Sequence, residues 1–164
     1  LQSITVHPKF GLFTEDDNPQ NYVYLFYTNY LENCPEEDEV TNGTWNVVNR
    51  FLMNAITLEI DYQSKEEIWR TTPLYDIIHN GGGMDFSSSP SNSDEDIPKL
   101  YITTGDSGKK QTASNLQTVF GKLLRLNDDG TIPHDNPYTV LNGYQNSRKC
   151  GDPTNGIILS LIHI

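Results

Sequence analysis

Positive charge is scarce in this chain of 164 residues: 11 Lys and Arg stand against 22 Asp and Glu, for a net charge of −11. Nucleic acid and anionic membrane surfaces both attract proteins through a positive field, so neither is an expected partner. Cysteine is rarer still. Cys34 and Cys150 lie far apart and form no Cys-x-x-Cys, a spacing that excludes a zinc site or a thioredoxin-like pair and leaves a disulfide open. No apolar run approaches the ~18 residues of a membrane-spanning helix, so no membrane insertion is expected. The hydrophobic share, 35%, is below that of an ordinary globular domain and predicts an incomplete core.

The two ends carry expectations of their own. Leu1, rather than Met, opens directly into the apolar residues Ile4 and Val6, and the natural N-terminus is expected further upstream. The run Ile157-Ile158-Leu159-Ser160-Leu161-Ile162-His163-Ile164 has no turn, cap or polar flank. It reads either as a buried strand that closes a sheet or as a non-native tail; we take the second, which sets the domain at 1–156.

Acid is concentrated in Glu36-Glu37-Asp38-Glu39 and Asp94-Glu95-Asp96, among Pro, Ser and Asn. These read as solvated loops, since neither has the alternating oxygen ligands and mid-loop Gly of a calcium loop. Asn42-Gly43-Thr44 is a glycosylation acceptor in such a loop. With the acidic charge and few cysteines, it points to an exported protein, extracellular or periplasmic.

Short runs rich in Val, Ile, Tyr, Phe and Thr alternate with Gly, Pro, Asn and Asp, and no long stretch has helical apolar spacing. This is an all-β pattern. Residues 22–28 form the strongest strand, apolar enough to suit cover on both faces; 46–53, 67–72, 100–104 and 122–126 follow. The order of these runs repeats. A short strand (from Ile4, from Gly83), a Pro-bearing acidic loop (Pro19, Pro98), an aromatic or aliphatic strand, and a third strand with a central Arg (Arg50, Arg125) occur twice. Repeating antiparallel units of about four strands describe propeller blades, with a β-sandwich as the alternative.

Chemistry concentrates in His79-Asn80-Gly81-Gly82-Gly83. Glycine admits strained backbone and close approach of a flat ligand, while histidine is the side chain that exchanges a proton near neutral pH. Together they suit a general base beside a cofactor held by His79, Asn80 and Gly81. A second cluster, Thr104-Gly105-Asp106-Ser107-Gly108, puts an acid at a strand end, where Asp106 can orient the His79 ring. Taken singly, each cluster also reads as an ordinary turn.

These two clusters, with His7-Pro8-Lys9-Phe10, Gly121-Lys122-Leu123-Leu124-Arg125-Leu126-Asn127-Asp128-Asp129-Gly130-Thr131-Ile132-Pro133 and Asp135-Asn136-Pro137, resemble the glucose/sorbosone dehydrogenase family in wording and order. The resemblance runs from Leu1 to about Pro137. It implies a six-bladed propeller, of which about two blades are present here. It also implies bound pyrroloquinoline quinone, and oxidation of the anomeric hydroxyl of aldose sugars to lactones, with electrons passed to an external acceptor. His79 matches the family's base and Asp106 the acid beside it; Lys122 and Arg125 match a structural strand and turn. The family's cofactor Gln, its Arg-Asn-Pro motif and its later basic residues have no counterpart in this chain, and Gln2 falls a few positions too late to be that Gln. The calcium ligands are likewise expected outside it. Some animal relatives, the hedgehog-interacting proteins, use this propeller as an extracellular binding module, which is the second reading.

Overall fold

The computed structural model describes residues 1–12, 20–30, 43–87, 97–115, 118–133 and 136, and the backbone of 138–139 and 160–162. Cys34, Cys150, Asn42, Pro19 and both acidic runs lie outside the described residues. Nine strands and one helical turn are described: β1 (Ser3–Val6), β2 (Tyr22–Tyr30), β3 (Thr44–Met53), β4 (Ile60–Arg70), β5 (Gly81–Phe86), β6 (Lys99–Thr104), α1 (Gln111–Ser114), β7 (Leu123–Asn127), β8 (Tyr138–Thr139) and β9 (Ser160–Ile162). They form two sheets, ordered β1-β2-β3-β4 and β5-β6-β7-β9-β8, with every described pairing antiparallel.

The repeat holds to single-residue register. In the first sheet Thr5, Tyr24 and Arg50 stand side by side across β1, β2 and β3. In the second, Asp85, Tyr101 and Arg125 occupy the same places across β5, β6 and β7. Two departures from the expected units have physical causes. β4 begins at Ile60 rather than near Glu67, because an outer strand tolerates Asp61, Lys65, Glu66 and Glu67, and such charge hides it from a hydrophobic pattern. The second sheet has five strands rather than four, through the short pair β8 and β9. β9 lies within the run 157–164 and pairs with β7 through Leu161 and Ile162, in the place a closing strand would take.

Alternation along the strands sends Tyr24, Phe26, Val48 and Trp69 of the first sheet against Met84, Leu100, Ile102, Leu124 and Leu126 of the second, all buried in one core. The Tyr24 and Phe86 rings meet edge to face, 5.0 Å apart. The inner strands meet where Thr5 Oγ1 donates to Asp85 Oδ1 at 3.3 Å. The opposite face of the first sheet is unevenly covered: Val23, Val47 and Phe51 are buried and Leu25 and Tyr27 half-buried, while Ile4 and Val6 on β1 are exposed. β2 is therefore buried on both faces at Val23, Tyr24 and Phe26, and the two-sided cover its composition led us to expect gives way to exposure at Thr28 and Tyr30.

Asp128, in the turn after β7, is a further polar link between the sheets. Its carbonyl accepts from the Tyr24 hydroxyl at 2.9 Å and from Arg50 Nη1 at 3.1 Å. Its carboxylate faces the buried His7, whose Nε2 lies 3.3 Å away but off the line of a good hydrogen bond. The Lys9 N–H donates to His7 Nδ1 at 3.1 Å, which leaves the ring proton on the nitrogen facing Asp128. Burial alone would raise the Asp128 pKa; the His7 N–H and the Arg50 guanidinium outweigh it and hold the carboxyl below its ordinary range. A carboxylate with a lowered folded pKa stabilises the fold above its unfolded pKa, near ~4, and that contribution is lost as pH falls through the folded value. Asp128→Asn is therefore expected to cost roughly 1–2 kcal/mol at pH 7, with the two stability curves converging below about pH 4. Denaturant unfolding across this pH range checks it, and equal stability of parent and variant at pH 7 would remove the carboxylate from the link.

Candidate active site

The segment between the sheets, residues 71–80, ends in His79, whose φ of 55° is the left-handed conformation that side chains other than glycine rarely adopt. Such a residue persists only when its surroundings over-determine it, and here they do. The His79 carbonyl accepts from the Ser107 N–H at 3.1 Å. A Cβ on Gly105 would stand 1.7 Å from that same carbonyl oxygen, so only glycine at 105 lets the two turns meet. Ser107, buried and also left-handed at φ 52°, ties the other end of the segment. Its hydroxyl accepts from the Tyr75 and Asp76 N–H groups at 2.8 and 3.0 Å and donates to the Asp76 carbonyl at 3.0 Å.

This brings together the two residues the sequence singled out. His79 Nδ1 lies 3.0 Å from Asp106 Oδ1, which also accepts from the Gly108 N–H at 3.0 Å. A carboxylate can only accept, so the shared proton belongs to Nδ1, and in the neutral ring Nε2 carries the lone pair. The His79 side chain is 61% exposed and that of Asp106 21%. The arrangement is an oriented imidazole with its reactive nitrogen turned outward, able to take a proton from a hydroxyl brought against it.

The glycines after His79 meet a need of backbone geometry, with φ of 81° at Gly81 and 133° at Gly82, and a need of close packing. A Cβ on Gly81 would lie 2.6 Å from Gly105 N and Thr103 O, and one on Gly83 2.6 Å from Thr103 Oγ1. A Cβ on Gly82 would meet Gln2 Cβ at 3.0 Å. The space their missing side chains leave is thus filled by β6 and by Gln2, and the run lets β5 start with a register shift between Gly81 and Met84. Asn80 holds its own turn through Nδ2, which donates to the Ile77 carbonyl at 2.8 Å, while its Oδ1 is buried without a partner. An unpaired buried acceptor beside the exposed imidazole fits a site that a further donor completes.

Asn46 and Ser107 were missed as site residues by sequence reasoning. Asn46, buried in β3, donates from Nδ2 to the Asn80 carbonyl at 3.2 Å. Its Oδ1 accepts from Thr28 Oγ1 at 2.8 Å and Gln2 Nε2 at 3.2 Å. The available signal was an Asn among large apolar neighbours in a strand, Trp45-Asn46-Val47-Val48. Among the described residues no three His, Cys, Asp or Glu side chains come together to hold a metal ion, and no helix is long and apolar enough to cross a membrane.

Comparison with known proteins agrees with this architecture. Escherichia coli aldose sugar dehydrogenase YliI is 43% identical over 44 residues, 27% of this chain and 12% of that protein. An uncharacterized protein of Synechocystis is 32% identical over 148 residues, 84% of this chain and 29% of its own length. Among solved structures, a glucose dehydrogenase superposes with a TM-score of 0.60 at 21% identity, over 85% of this chain and 34% of that one. The soluble aldose sugar dehydrogenase of E. coli, in its apo form, gives 0.58 at 20% identity, over 88% and 33%. The PQQ-bound aldose sugar dehydrogenase of Streptomyces coelicolor gives 0.55 at 22%, over 82% and 32%. These likenesses show the fold, part of a β-propeller, and the chain spans about a third of their length. The Glucose / Sorbosone dehydrogenase family model matches residues 1–147, a span that holds β1 to β7 and the His79–Asp106 pair, and the chain belongs to that family.

Proposed function

We propose that this chain carries the proton-accepting half of a quinone-dependent aldose dehydrogenase site. The observation that carries the reading is the outward-facing His79 ring, fixed at Nδ1 by Asp106 at 3.0 Å. His79 Nε2 takes the proton of the sugar's anomeric hydroxyl as the C–H bond at the same carbon breaks, so that the aldose leaves as a lactone. Pyrroloquinoline quinone, when bound, supplies the acceptor for the hydride and passes the electrons to an external acceptor. Asp106 keeps the ring in the tautomer that leaves Nε2 free and stabilises the imidazolium that forms. Asn80 and Gly81 flank the base, and the unpaired Asn80 Oδ1 is the group on this side that would meet the cofactor or its solvent shell. Calcium belongs to the same reading, with its ligands outside the described residues. So does an extracellular or periplasmic location. No observation on this chain favours the binding-module alternative.

Two experiments test this. Full-length protein reconstituted with the quinone and calcium should reduce a dye acceptor when given aldoses, and His79→Ala should lower kcat by about 10²–10⁴-fold. Unchanged kcat in that variant would remove His79 from the chemistry. Gly105→Ala must push the His79 backbone away, and is expected to cost roughly 1–3 kcal/mol in stability and about 100-fold in kcat through misplacement of the ring. Thermal melts and the same dye assay measure both, and a variant with parental activity would show that the backbone contact does not set the base.

A further inference from the structure

Lys122 is buried, and among the described residues no carboxylate lies in ion-pair range of its ammonium. Burial lowers its pKa from the ordinary lysine value. A buried cation without a counter-ion is costly unless its donors are satisfied. Here Nζ donates to three carbonyls, those of Thr112 and Ala113 at 2.9 Å each and of Phe120 at 2.7 Å, which uses all three N–H bonds. Two of these carbonyls belong to α1, whose last turn contains no basic residue of its own, so Lys122 supplies the donor for these orphan carbonyls. The ammonium therefore ties the middle of the 105–121 excursion, at α1, to its end at Phe120, as a bound metal cation would.

Two links run from this cage to the acid of the site. Thr112 Oγ1, on the residue whose carbonyl Lys122 holds, is shared between the Lys109 carbonyl at 2.7 Å and the Asp106 carbonyl at 3.1 Å. Gly121, next to Lys122, donates from its N–H to the Gly105 carbonyl, next to Asp106, at 2.8 Å. The Lys122 N–H itself donates to the buried Thr104 Oγ1 at 3.0 Å, where β6 ends and the turn begins.

We infer that Lys122 is a positioning residue: its three-carbonyl cage sets the 105–108 turn and so holds Asp106 against His79 Nδ1. This builds on the role proposed above for the His79–Asp106 pair, but its test needs neither quinone nor sugar. A purely structural lysine would lower the melting temperature and leave the pair unchanged in whatever protein remains folded.

The test is NMR of the full-length protein labelled with ¹⁵N-histidine, following the Nδ1–H signal and tautomer of His79 in the parent, Lys122→Met and Thr112→Val. Thr112→Val leaves Lys122 and its carbonyls in place and removes the shared hydroxyl bond to the Asp106 and Lys109 carbonyls. In the folded variants the Nδ1–H tautomer should fall from the dominant form to a mixture, with the downfield Nδ1–H resonance lost. In Lys122→Ala, millimolar propylammonium should restore it. If Lys122→Met does not fold, Thr112→Val alone decides. A parental His79 signal in any folded Lys122 variant, or in Thr112→Val, would overturn the inference. If the signal is lost as expected while the parent shows no aldose oxidation, the dehydrogenase reading fails and the positioning role stands.

Discussion

The backbone of His79 lies so close to Gly105 that no methyl group fits between them, and most of the site follows from that contact. It requires left-handed backbone at His79 and Ser107, which L side chains resist, and it is held by the Ser107 N–H on the His79 carbonyl. The turn that supplies this N–H also supplies Asp106, so one backbone arrangement both tilts the imidazole outward and gives its inner nitrogen an acceptor. The glycines at 81 and 83 belong to the same packing, since they let β5 draw against Thr103 and Gly105 at the end of β6. An imidazole with one nitrogen fixed by a carboxylate is the consequence, a placement that the proposed proton transfer would depend on.

The supports radiate outward from this contact. On one side Asn46 reaches across from the first sheet to the Asn80 carbonyl, with Gln2 and Thr28 satisfying its other end. On the other, Lys122 draws the 105–121 excursion around its ammonium. Below, the two sheets share a core of Tyr24, Phe26, Trp69, Leu100 and Leu124, and Asp128 joins them through His7, Tyr24 and Arg50. The site sits where the two sheets adjoin, so its geometry inherits the stability of the interface between them.

Much of this was legible in the sequence, and what was not has identifiable causes. The strands with apolar alternation, the repeat that places Tyr24 beside Arg50 and Tyr101 beside Arg125, and the His79 and Asp106 clusters could be read directly, because side-chain pattern and turn chemistry announce them. β4 could not be bounded, since an outer strand carries its charges where a pattern would place apolar residues. The glycine run and its tolerance of strained backbone were visible, but its packing was not: the neighbours that exclude a Cβ are Gln2, Thr103 and Gly105, distant in sequence. Ser107, Asn46 and Lys122 act on backbone carbonyls and N–H groups, which carry no residue-specific signature, and so their partners emerge only from the fold.

In the proposed reading His79 is a fixed base whose free nitrogen faces the reacting sugar beside the quinone. A crystal structure of the full-length protein with pyrroloquinoline quinone and an aldose tests it most directly. It should place the anomeric hydroxyl within hydrogen-bond distance of His79 Nε2, with Asp106 still on Nδ1. A quinone and sugar bound away from His79, or an imidazole turned so that Asp106 contacts Nε2, would contradict it.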